Sequence, residues 1–364
     1  MINSAFLKLL PFFGLLLTLG DAHAQAARKY SNEFLAIGVG ARALGMSNAH
    51  VASVNDVTSG YWNPAGLLKV KGNLQVAAQH AEYFAGIAKY DYGAIAIPTD
   101  SNSALGFSVI RFGVDDIPNT TDLIDSEGNF NYDKITSFSA ADYAFVVSYA
   151  KKPSIPGLYL GANAKVIHRK VGDFAKAWGF GLDVGAQYER NDWRFGLMAR
   201  DITSTYNAWS YDLDDKTKEV FEATNNELPE NDLEITLPKL ILGAGRKFII
   251  KERVGVLAEL NTDITFDGQR NVLVSSAPIS IDPNLGLEFS YLDFVFLRAG
   301  VGNIQRVKAE IGNHKVTTFQ PNMGIGVRLK NFTIDYALTD IGDQSVALYS
   351  NVFSLKLDIY KSKT

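Results

Sequence analysis

Residues 178–188 read WGFGLDVGAQY, and their alternation decides the architecture. The even positions, Trp178, Phe180, Leu182, Val184, Ala186 and Tyr188, are all apolar, while the odd ones are Gly179, Gly181, Asp183, Gly185 and Gln187. Successive side chains of a strand point to opposite faces, so this stretch has one apolar face and one small or polar face. The same period returns in YAFVVSY (143–149), LYLGANAKV (158–166), VGVLAEL (254–260), LGLEFSY (285–291), MGIGVRL (323–329), FTIDYAL (332–338) and FSLKLDI (353–359). No helical stripe of comparable length competes with it.

Fourteen such runs lie near 74–84, 87–98, 103–112, 141–151, 157–170, 176–189, 193–207, 235–248, 252–266, 283–291, 294–305, 317–330, 331–340 and 346–360. Several exceed the roughly five or six residues usual in soluble sheets and approach the roughly nine to eleven that a tilted strand needs to cross a bilayer. The connections sort by parity. TDSNS (99–103), KKPSIPG (151–157), RND (190–192), IIKE (249–252), LD (292–293) and Lys330-Asn331 are all short, whereas the alternate set contains 113–140, 207–235, 267–282 and 306–316. Short turns on one side and long loops on the other are the arrangement of an outer-membrane barrel.

Charge follows the same division. The 207–235 connection carries nine acids against Lys216 and Lys218, and the 113–140 connection six against Lys134. A soluble sandwich would also alternate, but it predicts shorter strands and no parity of loop length. Tyr143, Tyr149, Trp178, Tyr188 and Trp193 stand near run ends, where an interfacial girdle places aromatics. The expected fold is therefore all-β: a 14-stranded antiparallel transmembrane β-barrel over residues 74–364, with apolar side chains facing lipid and glycines and ionic groups facing the lumen.

The chain opens MINSAFLKLLPFFGLLLTLGDAHAQ, with Lys8, an apolar run from Leu9 to Leu19, and Ala22-His23-Ala24. That is the pattern of a signal peptide over 1–24, which implies export to the cell outer membrane. The chain has no cysteine, so burial and backbone pairing hold it together without disulfides. A net charge of −4 gives no footprint for nucleic acid. G-x-S-x-G, P-loop and cysteine-nucleophile patterns are missing, so no catalytic residue is assigned and no enzyme is expected. His23, His50, His80, His168 and His314 are scattered, without metal-ligand spacing. Gly38-Val39-Gly40 lacks the preceding strand and third glycine of a dinucleotide site. Neither metal nor cofactor is expected.

Residues 25–73 have another texture, with Gly38, Gly40, Gly45, Gly60 and Gly66 among small residues and no long alternation. A fourteen-strand lumen is wide enough to need filling, which suggests a plug, or hatch. Within it Trp62, Asn63, Pro64, Ala65 and Gly66 form a turn. Pro64 fixes φ, Asn63 before it is driven out of the helical region, and Gly66 permits a reversal. This turn either governs access to the lumen or, more plainly, seals it. The apolar residues among the outer acids, Trp209, Tyr211, Leu213, Val220 and Phe221, are candidate partner-binding positions; the acids themselves also read as solvated tips.

The stretch NEFLAIGVGARALGMSNAHVASVNDVTSGYWNPAGL (32–67) resembles the N-terminal signature of the PorV/PorQ family of Bacteroidetes outer-membrane proteins, a group related to FadL-type transporters of hydrophobic compounds. The resemblance implies a hatch ending in an Asn-Pro-Ala element ahead of a fourteen-strand barrel. It further implies a non-enzymatic component of the type IX secretion system that docks at the translocon and receives or shuttles C-terminal-domain cargo to the cell surface. The alternative is a FadL-like transporter of hydrophobic small molecules. The implied surroundings are the lipid bilayer, with translocon and cargo as protein partners.

Overall fold

A computed structural model describes residues 31–124, 128–276, 278–308, 315–341 and 349–361. The expected leader at 1–24 and His314 lie outside the described residues, as does the centre of the 306–316 connection. The wall consists of fourteen staves: β1 (Leu74–Tyr83), β2 (Ala88–Asp100), β3 (Ser103–Asn119), β4 (Thr136–Lys151), β5 (Leu158–Val171), β6 (Ala175–Arg190), β7 (Trp193–Arg200 continued by Thr205–Tyr211), β8 (Leu233–Thr236 continued by Lys239–Ile250), β9 (Val254–Thr265), β10 (Ser280–Tyr291), β11 (Val295–Lys308), β12 (Lys315–Leu329), β13 (Phe332–Thr339) and β14 (Ser350–Ile359). Each pairs antiparallel with the next. β14 returns to β1, with Leu74 opposite Ile359 and Glu82 opposite Asn351, so the sheet closes and no edge is left.

The connections at 101–102, 152–157, 191–192, 251–253, 292–294 and 330–331 all lie at one end, and none exceeds six residues. The connections 120–135, 212–232 and 266–279 lie at the other. The long ones are shorter than the alternation suggests. β3 and β4 stay paired up to Asn119 opposite Thr136, past a bulge between Val114 and Ile117. β7 likewise runs on to Tyr211, and β8 begins at Leu233. Beyond a membrane both faces of a strand are wet, so pairing outlasts the apolar pattern. A helix, α3 (Asp215–Ala223), fills part of the 212–232 connection, and Asp214 caps it by accepting from Thr217 N at 2.7 Å.

The alternation resolves as expected over most of the wall. Trp178, Phe180, Val184 and Tyr188 are exposed on the outside, whereas Asp183 and Gln187 are buried within. One sector reverses it. On the upper halves of β1 to β3 the outward positions are His80, Glu82, Lys89, Asp91, Arg111 and Asp115, and the inward ones include Ala81, Tyr83, Tyr90, Tyr92 and Ile110. The outward charges form a ladder. His80 pairs with Asp91 at 2.7 Å, Arg111 lies 3.4 Å from Asp91 and 3.6 Å from Asp115, and Lys89 lies 3.1 Å from Asp115. Lipid outside and ionic groups inside is therefore not the rule in this sector. The inward tyrosines and alanines join the apolar core of the plug instead.

That plug is residues 31–73, which thread the lumen. It contains a 3₁₀ turn (Glu33–Ala36), α1 (Ala41–Leu44), α2 (Ser59–Trp62) and a second 3₁₀ turn (Pro64–Lys69). Phe34, Val39, Leu44, Val54, Tyr61, Trp62 and Leu67 are buried in it, against Tyr90, Ile110, Ala144 and Ile167 of the wall.

Candidate functional site

The five residues of the turn lie inside the barrel against its wall, all buried. Asn63 is extended, with φ −164° and ψ 105°, as its position before a proline demands. Its Oδ1 accepts from Ala65 N at 3.3 Å and so caps the 3₁₀ turn that Pro64 begins. Its Nδ2 donates to Val51 O (3.1 Å) in the plug and to Ala186 O (2.9 Å) and Leu197 O (3.3 Å) on β6 and β7. One amide thus ties the turn to two staves. Trp62 donates from Nε1 to Val39 O at 2.8 Å and meets the ring of Tyr61 edge-on at 4.8 Å.

Gly66 does not act as expected. Its φ is not left-handed; its role is to leave space, because a methyl there would stand 2.6 Å from Ser59 Oγ and 2.6 Å from Val54 O. The wall uses glycine in the same way. A methyl at Gly161 would lie 2.5 Å from Ala65 N, one at Gly196 2.5 Å from Val51 O, and one at Gly286 2.7 Å from Met46 Cβ. At Gly161, Gly196, Gly286 and Gly300 plug main chain lies directly on the wall, whereas Gly179 and Gly181 make room for the wall's own Asn207, Thr205 and Lys165 side chains.

Ion pairs fasten the plug from the short-turn end. Arg42 of α1 grips Glu288 of β10 with Nε and Nη2, each at 2.8 Å. Arg298 of β11 joins Glu288 to Asp335 of β13, at 2.7 Å on each side. Asp56 of the plug receives Lys356 of β14 at 2.6 Å, and Lys69 reaches Glu189 of β6 at 2.7 Å. Burial alone would raise the Asp56 carboxyl, but Lys356 and Arg42 outweigh it and hold the group below the ordinary carboxylate range. His50, packed beside Trp62 and hydrogen-bonded to Ser53 Oγ at 3.0 Å, is pushed down to about 3 by burial and by the Arg42 charge.

Among the described residues, three cavities larger than 200 Å³ flank the plug. One of 210 Å³ lies at the short-turn end among Arg42, Asp56, Arg298 and Lys356. A polar one of 650 Å³ opens toward the long loops, lined by Asn48, Asp282, Asn284, Gln320 and Asn322 among others. The third, of 360 Å³, also faces the long-loop end and differs in character: Leu35, Tyr61, Ile110, Val146, Leu237 and Phe266 line it. It lies where the wall is interrupted. β7 leaves its register over 201–204, and β8 does so at Leu237 and Pro238, so neither pair of segments is continuous there. Pro238 supplies no N–H to a ladder, which suits a break.

The polar floor of this cavity is a charge cluster. Lys165 Nζ is 2.8 Å from Asp183 Oδ1 and 2.7 Å from Asp201 Oδ1, with all three side chains nearly buried. Asp183 also accepts from Asn163 Nδ2 (3.2 Å) and Asp201 N (2.9 Å). Arg200 donates to Leu35 O (3.1 Å) and Tyr61 O (3.0 Å) and lies 4.3 Å over the Tyr61 ring. Lys165 and Asp183 were legible as inward positions of their runs. Their convergence with Asp201 and Arg200 was not, because it depends on the interruption of β7.

Trp209 and Tyr211 stand on β7 rather than in a loop, stacked at 6.1 Å; Arg169 lies 5.0 Å over Trp209, whose Nε1 donates to Glu234 at 3.1 Å. Leu213 follows the strand, and Val220 and Phe221 are on α3; all five are half-buried. His80 and His168 stand on the outer wall, far in sequence from His50 in the plug.

No family model matches the chain, and no curated protein does. Solved structures do. The chain is similar to the toluene transporter TbuX of Ralstonia pickettii at 14% identity and TM-score 0.54, over 89% of this chain and 99% of that one. It is similar to the toluene transporter TodX of Pseudomonas putida at 12% identity and TM-score 0.55, over 88% and 98%. A Pseudomonas aeruginosa FadL homologue matches at 13% identity and TM-score 0.50, over 87% and 97%. At such identities the likeness is one of fold, the closed fourteen-strand barrel.

Proposed function

We propose that this protein is a non-enzymatic barrel of the bacterial outer membrane that admits hydrophobic small molecules. The observation that carries the reading is the 360 Å³ apolar cavity set between the plug and the interrupted wall at Leu237 and Pro238. Apolar pockets with a few convergent polar groups are where small molecules bind. This one faces the long-loop end and lies at the break in the wall beside Leu237 and Pro238, so on this reading a hydrophobic solute would move from loop to cavity to membrane without crossing the plug. Fold neighbours described as transporters of toluene support the choice of solute.

The experiment is uptake of radiolabelled toluene by cells that lack other channels of this kind. Expression of the chain raises the uptake rate, and Leu237→Trp, which fills the cavity at the wall, returns it to background. Uptake that is indifferent to the protein ends the proposal.

The secretion reading suggested by the PorV/PorQ resemblance has one observation in its favour. The plug is seated on wall glycines and held by ion pairs, as a sealed shuttle requires, and the 212–232 connection with Leu213, Val220 and Phe221 would then offer the docking surface. Normal export of C-terminal-domain cargo in a deletion strain removes that reading.

A further inference from the structure

We infer that the 360 Å³ cavity selects uncharged hydrophobic molecules and rejects their carboxylate analogues. The inference rests on the transporter reading and narrows its substrate class.

Four cations line the cavity, Lys165, Arg200, Lys239 and Arg270, and each already has its counter-charge or acceptor. Lys165 lies between Asp183 and Asp201. The Arg200 guanidinium is spent on two plug carbonyls and the face of Tyr61. Lys239 holds Asp263 at 2.5 Å. Arg270 holds Asp267 at 2.5 Å and Glu33 at 3.3 Å.

A site built to take an anion keeps a cation unmatched for it. Here four acids, Glu33, Asp183, Asp201 and Asp267, share the lining. An entering carboxylate would either displace one of them from its partner, leaving that acid buried without a counter-charge, or stay unpaired beside them. Both routes are unfavourable in a low-dielectric site. A neutral ring or chain meets Leu35, Ile110, Val146, Leu237 and Phe266 without disturbing any pair. The hydroxyl or amide of a neutral polar solute would still find donors and acceptors at the cluster, so the discrimination acts on charge and not on polarity.

The test is a matched pair of probes, 4-fluorotoluene and 4-fluorobenzoate, titrated into the purified barrel in amphipol and followed by ¹⁹F line broadening. The neutral probe should bind at least about tenfold more tightly than the carboxylate, and Leu237→Trp should abolish its binding. The variant Asp201→Asn, which releases half of the Lys165 pairing, should narrow that ratio by improving the carboxylate alone. Equal or tighter binding of 4-fluorobenzoate to the unmodified protein overturns the inference and leaves the transporter reading standing. Failure of both probes, or neutral binding untouched by Leu237→Trp, overturns the transporter reading and this inference with it.

Discussion

Gly161 on β5 and Ala65 in the plug are in main-chain contact: a methyl built on Gly161 would stand 2.5 Å from the Ala65 amide nitrogen. The backbone at Gly161 is not left-handed, so alanine there faces no conformational penalty of its own and meets only the plug. Gly196 stands in the same relation to Val51. Overfilling a close-packed contact costs roughly 1–3 kcal/mol. Gly161→Ala and Gly196→Ala should each lower the thermal midpoint of the detergent-solubilised barrel and raise its conductance in planar bilayers. Gly93→Ala is the control, since a methyl there points into open space. If all three variants behave alike, the plug is not seated on these glycines.

The barrel was readable because lipid imposes a period of two on every stave and the cell envelope imposes parity on the loops. WGFGLDVGAQY displays both faces of one wall strand, and Leu74, the first residue of the first run, is also where β1 begins. The glycines were readable as small inward positions but not as seats for a second chain segment, since nothing local says what lies opposite. The reversed sector is not legible in the sequence alone. Its sequence, HAEYFAGIAKYDY, still alternates, but a period carries no sign: whether Tyr90 or Asp91 faces lipid depends on the apolar core the plug brings to β1–β3. The cavity was equally hidden, because the interruption of β7 brings together Lys165, Asp183 and Asp201 from three separate staves.

Acid should loosen the plug before it affects the wall. His50 is buried and neutral, with its pKa near 3, while an unfolded histidine titrates near about 6.5. Above that value both states are unprotonated and stability is at its full level. As the pH falls below it the unfolded chain takes up a proton that the folded plug refuses, so stability declines toward pH 3 by up to about 1.4 kcal/mol per pH unit. Asp56, whose carboxyl is held low, acts in the same direction only below the ordinary carboxylate range, so between about pH 4 and 6.5 the histidine is the one of these two plug groups that acts, and its share is read as the difference from a His50→Gln chain. Urea midpoints measured across that interval should decline more steeply with falling pH for the native chain than for His50→Gln. Parallel slopes would show that another group is responsible.

The charge ladder on β1–β3 should set the membrane boundary lower on that side of the barrel. Before the first outward charge β1 offers Leu74, Val76 and Ala78, β2 offers Ile97, Ile95 and Gly93, and β3 offers Leu105, Phe107 and Val109. β6 offers twice as many, from Tyr188 through Ala186, Val184, Leu182 and Phe180 to Trp178, and β10 matches it from Tyr291 to Ile281. With a rise of about 3.3 Å per residue and a tilt of roughly 35–45°, the first set spans about 10–15 Å and the second about 25 Å, the usual height of an apolar belt. A charge held among acyl tails is costly, so headgroups and water should descend to meet Asp91 and Arg111. Nitroxides attached at Asp91→Cys and Phe180→Cys in phospholipid vesicles will report this through power saturation. The label at 180 should respond mainly to oxygen dissolved in the tails, and the label at 91 mainly to an aqueous nickel chelate. Oxygen dominance at both positions would place the ladder within the tails and refute a lowered boundary.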